Sequence, residues 1–334
     1  MVNIISSRDI ELSYMEFLQG YKDFFDAYIA DHSFDQSPTN LYDPVNYIIS
    51  IGGKRIRPLL LLMAADAVGG DKSQALNAAY SVELFHNFTL LHDDIMDDAP
   101  LRRGQETVHE KYNVNTAILS GDAMMILAYQ YLGKYGRADI LNIFSKMALE
   151  VCDGQQMDMD FEEREDVTIP EYVEMISLKT SVLIGAALEI GALLGGASES
   201  QAHHLYKYGV NIGIAFQIQD DLLDTYGTPK VGKQKCGDII QNKKTYLYLK
   251  ARESASTADK ELLDKLYSTS PIDATEKINQ VLEIYKSANV TGYSEELKLV
   301  YKDLAMSHLE AAQLSAASKK LFTDFGSYLL ARES

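Results

Sequence analysis

The stretch Ser81-Val82-Glu83-Leu84-Phe85-His86-Asn87-Phe88-Thr89-Leu90-Leu91-His92-Asp93-Asp94-Ile95-Met96-Asp97 decides how this chain reads. Its apolar residues recur three and four positions apart, the period of an α-helix, and the run closes on carboxylates. The spacing predicts a helix over 72–97, entered from the Gly69-Gly70-Asp71 break. Working outward, the same pattern returns over 199–224, where Phe216-Gln217-Ile218-Gln219 leads into Asp220-Asp221-Leu222-Leu223-Asp224. Helical periodicity runs almost from end to end, while sustained period-two alternation bounded by hairpin turns is missing. Further breaks at 31–44, Gly52-Gly53, 99–104, Gly195-Gly196 and 226–237 cut the chain into helices of bundle length. No linker or low-complexity tract interrupts it, so the expectation is an all-α fold in a single domain, 1–334.

Composition agrees. Only 7 prolines among 334 residues leave long helices unbroken, and a hydrophobic content of 46% is enough for a large core. A net charge of −17 argues against a nucleic-acid partner, because phosphate backbones are held by surplus Lys and Arg. Any phosphate site must therefore concentrate cations locally. Cys152 and Cys236 have no cysteine or histidine at metal-ligand spacing and read as reduced, partly buried thiols. The start of the chain lacks a signal-type apolar core, and no apolar run reads as long enough to span a membrane. A soluble, cytoplasmic enzyme is expected.

Residues four apart on a helix lie nearly one above the other, so Asp93 projects with Asp97 and Asp220 with Asp224. Like charges at that spacing weaken a helix unless a cation neutralises them. Carboxylate oxygens in small number suit Mg²⁺, which keeps several waters and bridges to substrate phosphates. Two such claws facing each other would grip one diphosphate. One aspartate run could equally be a solvated helix end; two, each preceded by apolar residues, point to a site. Basic residues stand beside glycines and claws in five short segments: Gly52-Gly53-Lys54-Arg55-Ile56-Arg57-Pro58, Leu101-Arg102-Arg103-Gly104, Lys179-Thr180, Val231-Gly232-Lys233 and Asn242-Lys243-Lys244. Two anionic substrates would require such a set.

Taken together, these motifs resemble the trans-isoprenyl diphosphate synthases, or polyprenyl synthetases, over most of the chain, with Gly154-Gln155 and Asp158 adding to the match. The resemblance implies the isoprenoid synthase fold, antiparallel helices around a deep central cavity, and usually a homodimer. It implies a prenyltransferase that condenses an allylic diphosphate with isopentenyl diphosphate. By position, Asp93, Asp97 and Asp220 look like the main ligands of three Mg²⁺ ions, with Asp94, Asp221 and Asp224 in support. Arg102, Lys179, Lys233 and Lys243 look like contacts to the allylic diphosphate, and Lys54, Arg57, His86 and Arg103 like the isopentenyl diphosphate pocket. Gln155 and Asp158 would buttress the metal side, and Thr180, Gln217 and Phe216 would face the reacting carbons, Phe216 on the isopentenyl side. Three departures bear on loop conformation: Glu106 where the family often has proline, Thr228 for an aspartate, and Asn242 for a glycine.

The chemistry matching this layout is ionisation of the allylic carbon–oxygen bond, with charge developing on the leaving diphosphate. A tail growing along the helix face would pass Thr89, Phe88 and Phe85. Phe88 sits about 7.5 Å along the axis from Asp93, where a ring would form a floor; core packing is the alternative reading of both phenylalanines. The C20 product, geranylgeranyl diphosphate, is favoured over the C15 farnesyl diphosphate. A class I terpene cyclase needs no second diphosphate pocket, a non-catalytic regulatory subunit would be expected to lose metal ligands, and a phosphohydrolase on His92-Asp93 lacks further histidines. All three fit less well.

Overall fold

The computed structural model describes residues 7–227, 236–268 and 274–331, with side chains from 18 onward. Its helices, in chain order, are α1 (Ser7–Ala30), α2 (Thr39–Ser50), α3 (Ile56–Ala67), α4 (Leu76–Met96), α5 (Val108–Lys111), α6 (Val114–Gly133), α7 (Ala138–Glu163) and α8 (Ile169–Ile176). They continue as α9 (Val182–Leu194), α10 (Glu199–Tyr226), α11 (Gly237–Ile240), α12 (Tyr246–Ser254), α13 (Thr257–Ser268), α14 (Ala274–Ser287), α15 (Val290–Ala311) and α16 (Ala316–Leu330). The helix expected over 72–97 opens as a 3₁₀ turn, Lys72–Ala75, before becoming α-helical. The segment 99–104, expected as a plain break, enters a short hairpin, β1 (Leu101–Arg102) with β2 (Gln105–Glu106). Lys233 and Thr228 lie outside the described residues.

Two compact units emerge. The first comprises 1–146, 183–206 and 312–319. Its core is built on α3, whose run Leu59 to Ala65 is buried throughout, and on α4, which packs along α6. Ser81 Oγ donates to Ala128 O at 2.7 Å across that contact. Segment α9 meets α3 through glycines: a Cβ at Gly191 would run into the Leu61 carbonyl, and one at Gly195 into that of Ala65. Each leucine buried here is worth about 1.5–3 kcal/mol, which the close approach of the two backbones secures.

The second unit comprises 147–182, 207–311 and 320–334. Its core gathers Ile214, Ile218 and Leu222 of α10 with Tyr246, Leu247, Tyr285 and Val290. Between α8 and α9 the helix widens into a π turn, Ser177–Ser181. Gly154 of α7 and Gly213 of α10 both pack on it, since a Cβ at the former would strike the Lys179 backbone and one at the latter Ser181. α8 starts on a capping box in which Thr168 and Glu171 satisfy each other's backbone groups, with Pro170 in the first turn.

One sequence expectation is corrected. The continuous helical run Ile169–Leu194 is long and apolar enough to cross a membrane, because the helix passes through Lys179 without a break. Its most apolar window is 67% buried inside the protein, as a core helix is.

Gly191→Ala is expected to cost about 1–3 kcal/mol by forcing α9 off α3. Gly20→Ala, in open space on α1, should instead stabilise by about 0.5–1 kcal/mol. Urea denaturation midpoints of the two variants check both signs.

Candidate active site

Asp93 and Asp97 occupy the last turn of α4, where Asp97 N donates to Asp93 O at 2.9 Å. The helix then stops in a Schellman turn. Asp98 takes a left-handed φ of 49°, its N–H reaching Ile95 O, and Ala99 N reaches Asp94 O at 2.9 Å. Asp94 points the other way. It is 3% exposed and accepts Arg102 Nε and Nη2, each at 2.7 Å, so both its oxygens are occupied by one guanidinium. Arg102 Nη2 also lies 3.9 Å from Asp93. The arginine is carried by β1, and the hairpin turn Arg103-Gly104 has positive φ at both residues, the twist that a two-residue hairpin favours. His92 does not join the carboxylates: its ring fills the space over Gly121, with Nε2 3.2 Å from Ile118 O.

In the same unit the arginines of the glycine-rich segments converge. A Cβ at Gly53 would collide with the Arg103 guanidinium, and Gly53 also holds a φ of 139°, so the position suits only glycine. Arg57 Nη1 lies 3.1 Å from His86 Nε2. Arg55 is buried, paired to Glu83 and donating to Ile49 O at 2.5 Å, and Asn87 donates to the same Glu83 oxygen at 2.8 Å. Desolvation, then Arg57, Arg103, Arg102 and Arg55, hold the His86 imidazole well below its ordinary pKa. It is neutral at pH 7, and its Nε2 accepts from Arg57. Desolvation pushes Arg57 itself down to about 10, against the pull of Glu83, so it stays cationic. Desolvation likewise lowers Arg103. Such a crowd of cations around a neutral acceptor is built to receive an anion. Lys54 is exposed beside it.

Along the remaining face of α4, Phe88 is 9% exposed and its ring lies 4.8 Å from His92 and 5.5 Å from Phe85. Phe85 is fully enclosed, edge-on to Phe144 at 5.4 Å, which makes it core. Thr89 turns its hydroxyl to His86 O at 2.8 Å.

The second cluster repeats the arrangement in the other unit. Asp221 is buried; the Tyr172 hydroxyl donates to one oxygen and Gln217 Nε2 to the other at 3.2 Å. Burial, then the neighbouring Asp238, push its carboxyl well above the ordinary range. Asp220 is half-buried on the same turn of α10, and Asp224 Oδ2 accepts the backbone N–H of Asp238 at 3.1 Å. Lys179, on the π turn, donates to Asp158 at 2.7 Å, with Lys243 Nζ 3.6 Å from the same oxygen and 2.5 Å from Glu162. Gly154 brings α7 close enough for this; Gln155 and Thr180, next in sequence to Gly154 and Lys179, are half-buried, and so is Phe216 on α10. Asn242, noted as standing where glycine is common, sits at φ 58°, a left-handed backbone that asparagine tolerates.

Four partners escaped the sequence reading: Glu83, Tyr172, Glu162 and Asp238. Only Glu83 left a signal, a lone acid inside the apolar run of α4.

Residues 38–285 match the polyprenyl synthetase family model. A geranylgeranyl pyrophosphate synthase of Geoglobus acetivorans is 38% identical over 90% of this chain and 93% of its own. A geranylfarnesyl diphosphate synthase of Natronomonas pharaonis is 37% identical over 89% and 91%. The crystal structure of a geranylgeranyl pyrophosphate synthase superposes with a TM-score of 0.86 at 43% identity, over 98% of this chain and 99% of that one.

Because the folded pKa of His86 is depressed, the unfolded chain binds more protons on the acid side. The stability His86 contributes is complete above its unfolded value, about 6.5, and is lost as pH falls below it. His86→Gln, which keeps an acceptor but does not titrate, should lose less stability than the parent between about pH 7 and pH 5 in urea titrations.

Proposed function

The chain belongs to the polyprenyl synthetase family and is a prenyltransferase that condenses isopentenyl diphosphate with an allylic diphosphate, and we propose that its main product is the C20 geranylgeranyl diphosphate. The observation that carries this reading is Phe88, buried below Asp93 and backed by Phe85, where a growing tail would meet a ring. The names of relatives, geranylgeranyl synthases among them, support C20 over C15.

The carboxylate-only donor set at a solvent-reachable helix end fits Mg²⁺. Asp93, Asp97 and Asp220 would hold three ions, with Asp224 in support, and Asp94 and Asp221 would act by fixing Arg102 and the α10 turn. Bound Mg²⁺ would supply charge stabilisation to the departing diphosphate. Arg102, Lys179, Lys233 and Lys243 bind that same group and stabilise its oxygens as the carbon–oxygen bond breaks. Asp158 holds Lys179 and Lys243 in place, with Gln155 beside it. Lys54, Arg57, His86 and Arg103 bind isopentenyl diphosphate and orient its double bond, with Phe216 against its carbons. Thr180 and Gln217 offer dipoles to the cation without the carboxylate that would trap it. The proton lost at the end goes to the released diphosphate.

We read residues 1–334 as one catalytic domain working as a homodimer in the cytoplasm. Val114, Ile118, Leu119 and Ile126 leave an apolar stripe exposed along α6, which a second copy would cover. Cys152, exposed, and Cys236, buried with its thiol on Thr225 O, form no disulfide and fit a reducing compartment.

Mass spectrometry of products made from isopentenyl diphosphate and the five-, ten- or fifteen-carbon primer should give C20 with each. Phe88→Ala should shift the distribution to longer chains, and chelation of Mg²⁺ should abolish turnover. An unchanged distribution removes Phe88 as the floor.

A further inference from the structure

A cluster the prenyl transfer does not use lies at the base of the arginine hairpin. We propose that Asp98, His109 and Glu110 form a second cation site, selective for an imidazole-preferring divalent ion of the zinc class and distinct from the Mg²⁺ carboxylates. One ligand atom from each of the three lies within 4.8 Å of the others, and neither Asp93 nor Asp97 belongs to the group.

The independent sign of a ligand is His109. It is 8% exposed, and neither Nδ1 nor Nε2 has a hydrogen-bond partner. Its Nε2 stands 3.7 Å from Glu110 Oε1, beyond hydrogen-bond reach. A buried polar group left this way costs about 1–3 kcal/mol, which coordination of a metal through one nitrogen would remove. Asp98 and Glu110 are exposed, so an ion can enter from solvent and complete its shell with water.

The donor types set the selectivity. Mg²⁺ prefers oxygen alone, whereas one imidazole with two carboxylates suits Zn²⁺ or Co²⁺, which outrank Mg²⁺ for nitrogen. The position sets the role. Asp98 ends α4 in its left-handed turn, and His109 and Glu110 belong to α5, so an ion would join the two ends of the segment carrying Arg102 and Arg103. That base is already held by Thr107 Oγ1 on Ala99 O at 2.8 Å and Thr107 N on Pro100 O at 3.2 Å. Metal binding would add a clamp at the foot of the hairpin.

Titrating the purified full chain with Co²⁺ in excess Mg²⁺, followed by visible absorption, should reveal one tightly bound ion per chain that Zn²⁺ displaces. His109→Gln and Glu110→Ala should each weaken it at least about tenfold, the loss typical even of residues one step removed from a metal. Asp93→Asn should leave it in place. The proposal is overturned if no Co²⁺ is taken up beside Mg²⁺, if uptake disappears in Asp93→Asn, or if it is unchanged in Glu110→Ala. That last variant alters an exposed side chain, so it decides the matter even where His109→Gln does not fold.

Discussion

The bidentate pair between Asp94 and Arg102 is the constraint on which the first cluster rests. Three carboxylates on one helical turn would repel one another, yet only the outer two, Asp93 and Asp97, share a face. The middle one is turned inward and neutralised, at 2.7 Å on each oxygen. A charge-assisted fork of this kind holds both groups rigidly, so the same contact that relieves the helix end also fixes an arginine of the hairpin. Asp221 follows the same plan with different chemistry. A phenol and an amide take its oxygens, and burial favours its neutral form instead of a counter-cation.

The arginine pocket solves the opposite problem. Arg55, Arg57, Arg102 and Arg103 all press on His86, and the Glu83 carboxylate acts on both Arg57 and Arg103. A protein with a net charge of −17 thus keeps a small region of opposite sign, and the field of the whole chain does not erase it because the interactions are short and desolvated. Preorganised positive charge of this sort is unfavourable to the empty protein and favourable once a diphosphate is bound.

Much of this was legible in the sequence, for local reasons. Helical period, both aspartate clusters and the glycine-flanked basic segments are short-range patterns, and the observed helices end at Met96 and Tyr226, within two residues of the expected 97 and 224. What was not legible depends on partners distant in the chain. Nothing around Asp94 says that it faces inward, because its partner is on a hairpin too short to register as alternating sequence. Asp158 reads as a buttress for metal, but its neighbours are Lys179 and Lys243, from 21 and 85 positions away by number (179 − 158 and 243 − 158). Tyr172 sits on an ordinary amphipathic helix and carries no mark of its bond to Asp221. The run 169–194 shows the converse: apolar enough for a membrane by composition, it is a core helix by packing.

The π turn at Ser177–Ser181 also sets the phase of the chain. A π turn is an α-helix with one residue too many, so the residue count slips by one, about 100° of helix, while the flanks keep the register of a continuous helix. Lys179 and Thr180 lie inside that surplus, while the faces of α8 and α9 are each already committed to their own cores. A deletion of one residue here would leave a smooth and locally more regular helix. It would leave both flanks near their present register but remove the widened turn that carries Lys179 to Asp158, 2.7 Å away. At this point in the chain, length is held as tightly as residue identity, and an insertion or deletion that would pass unnoticed in a surface loop has no silent version.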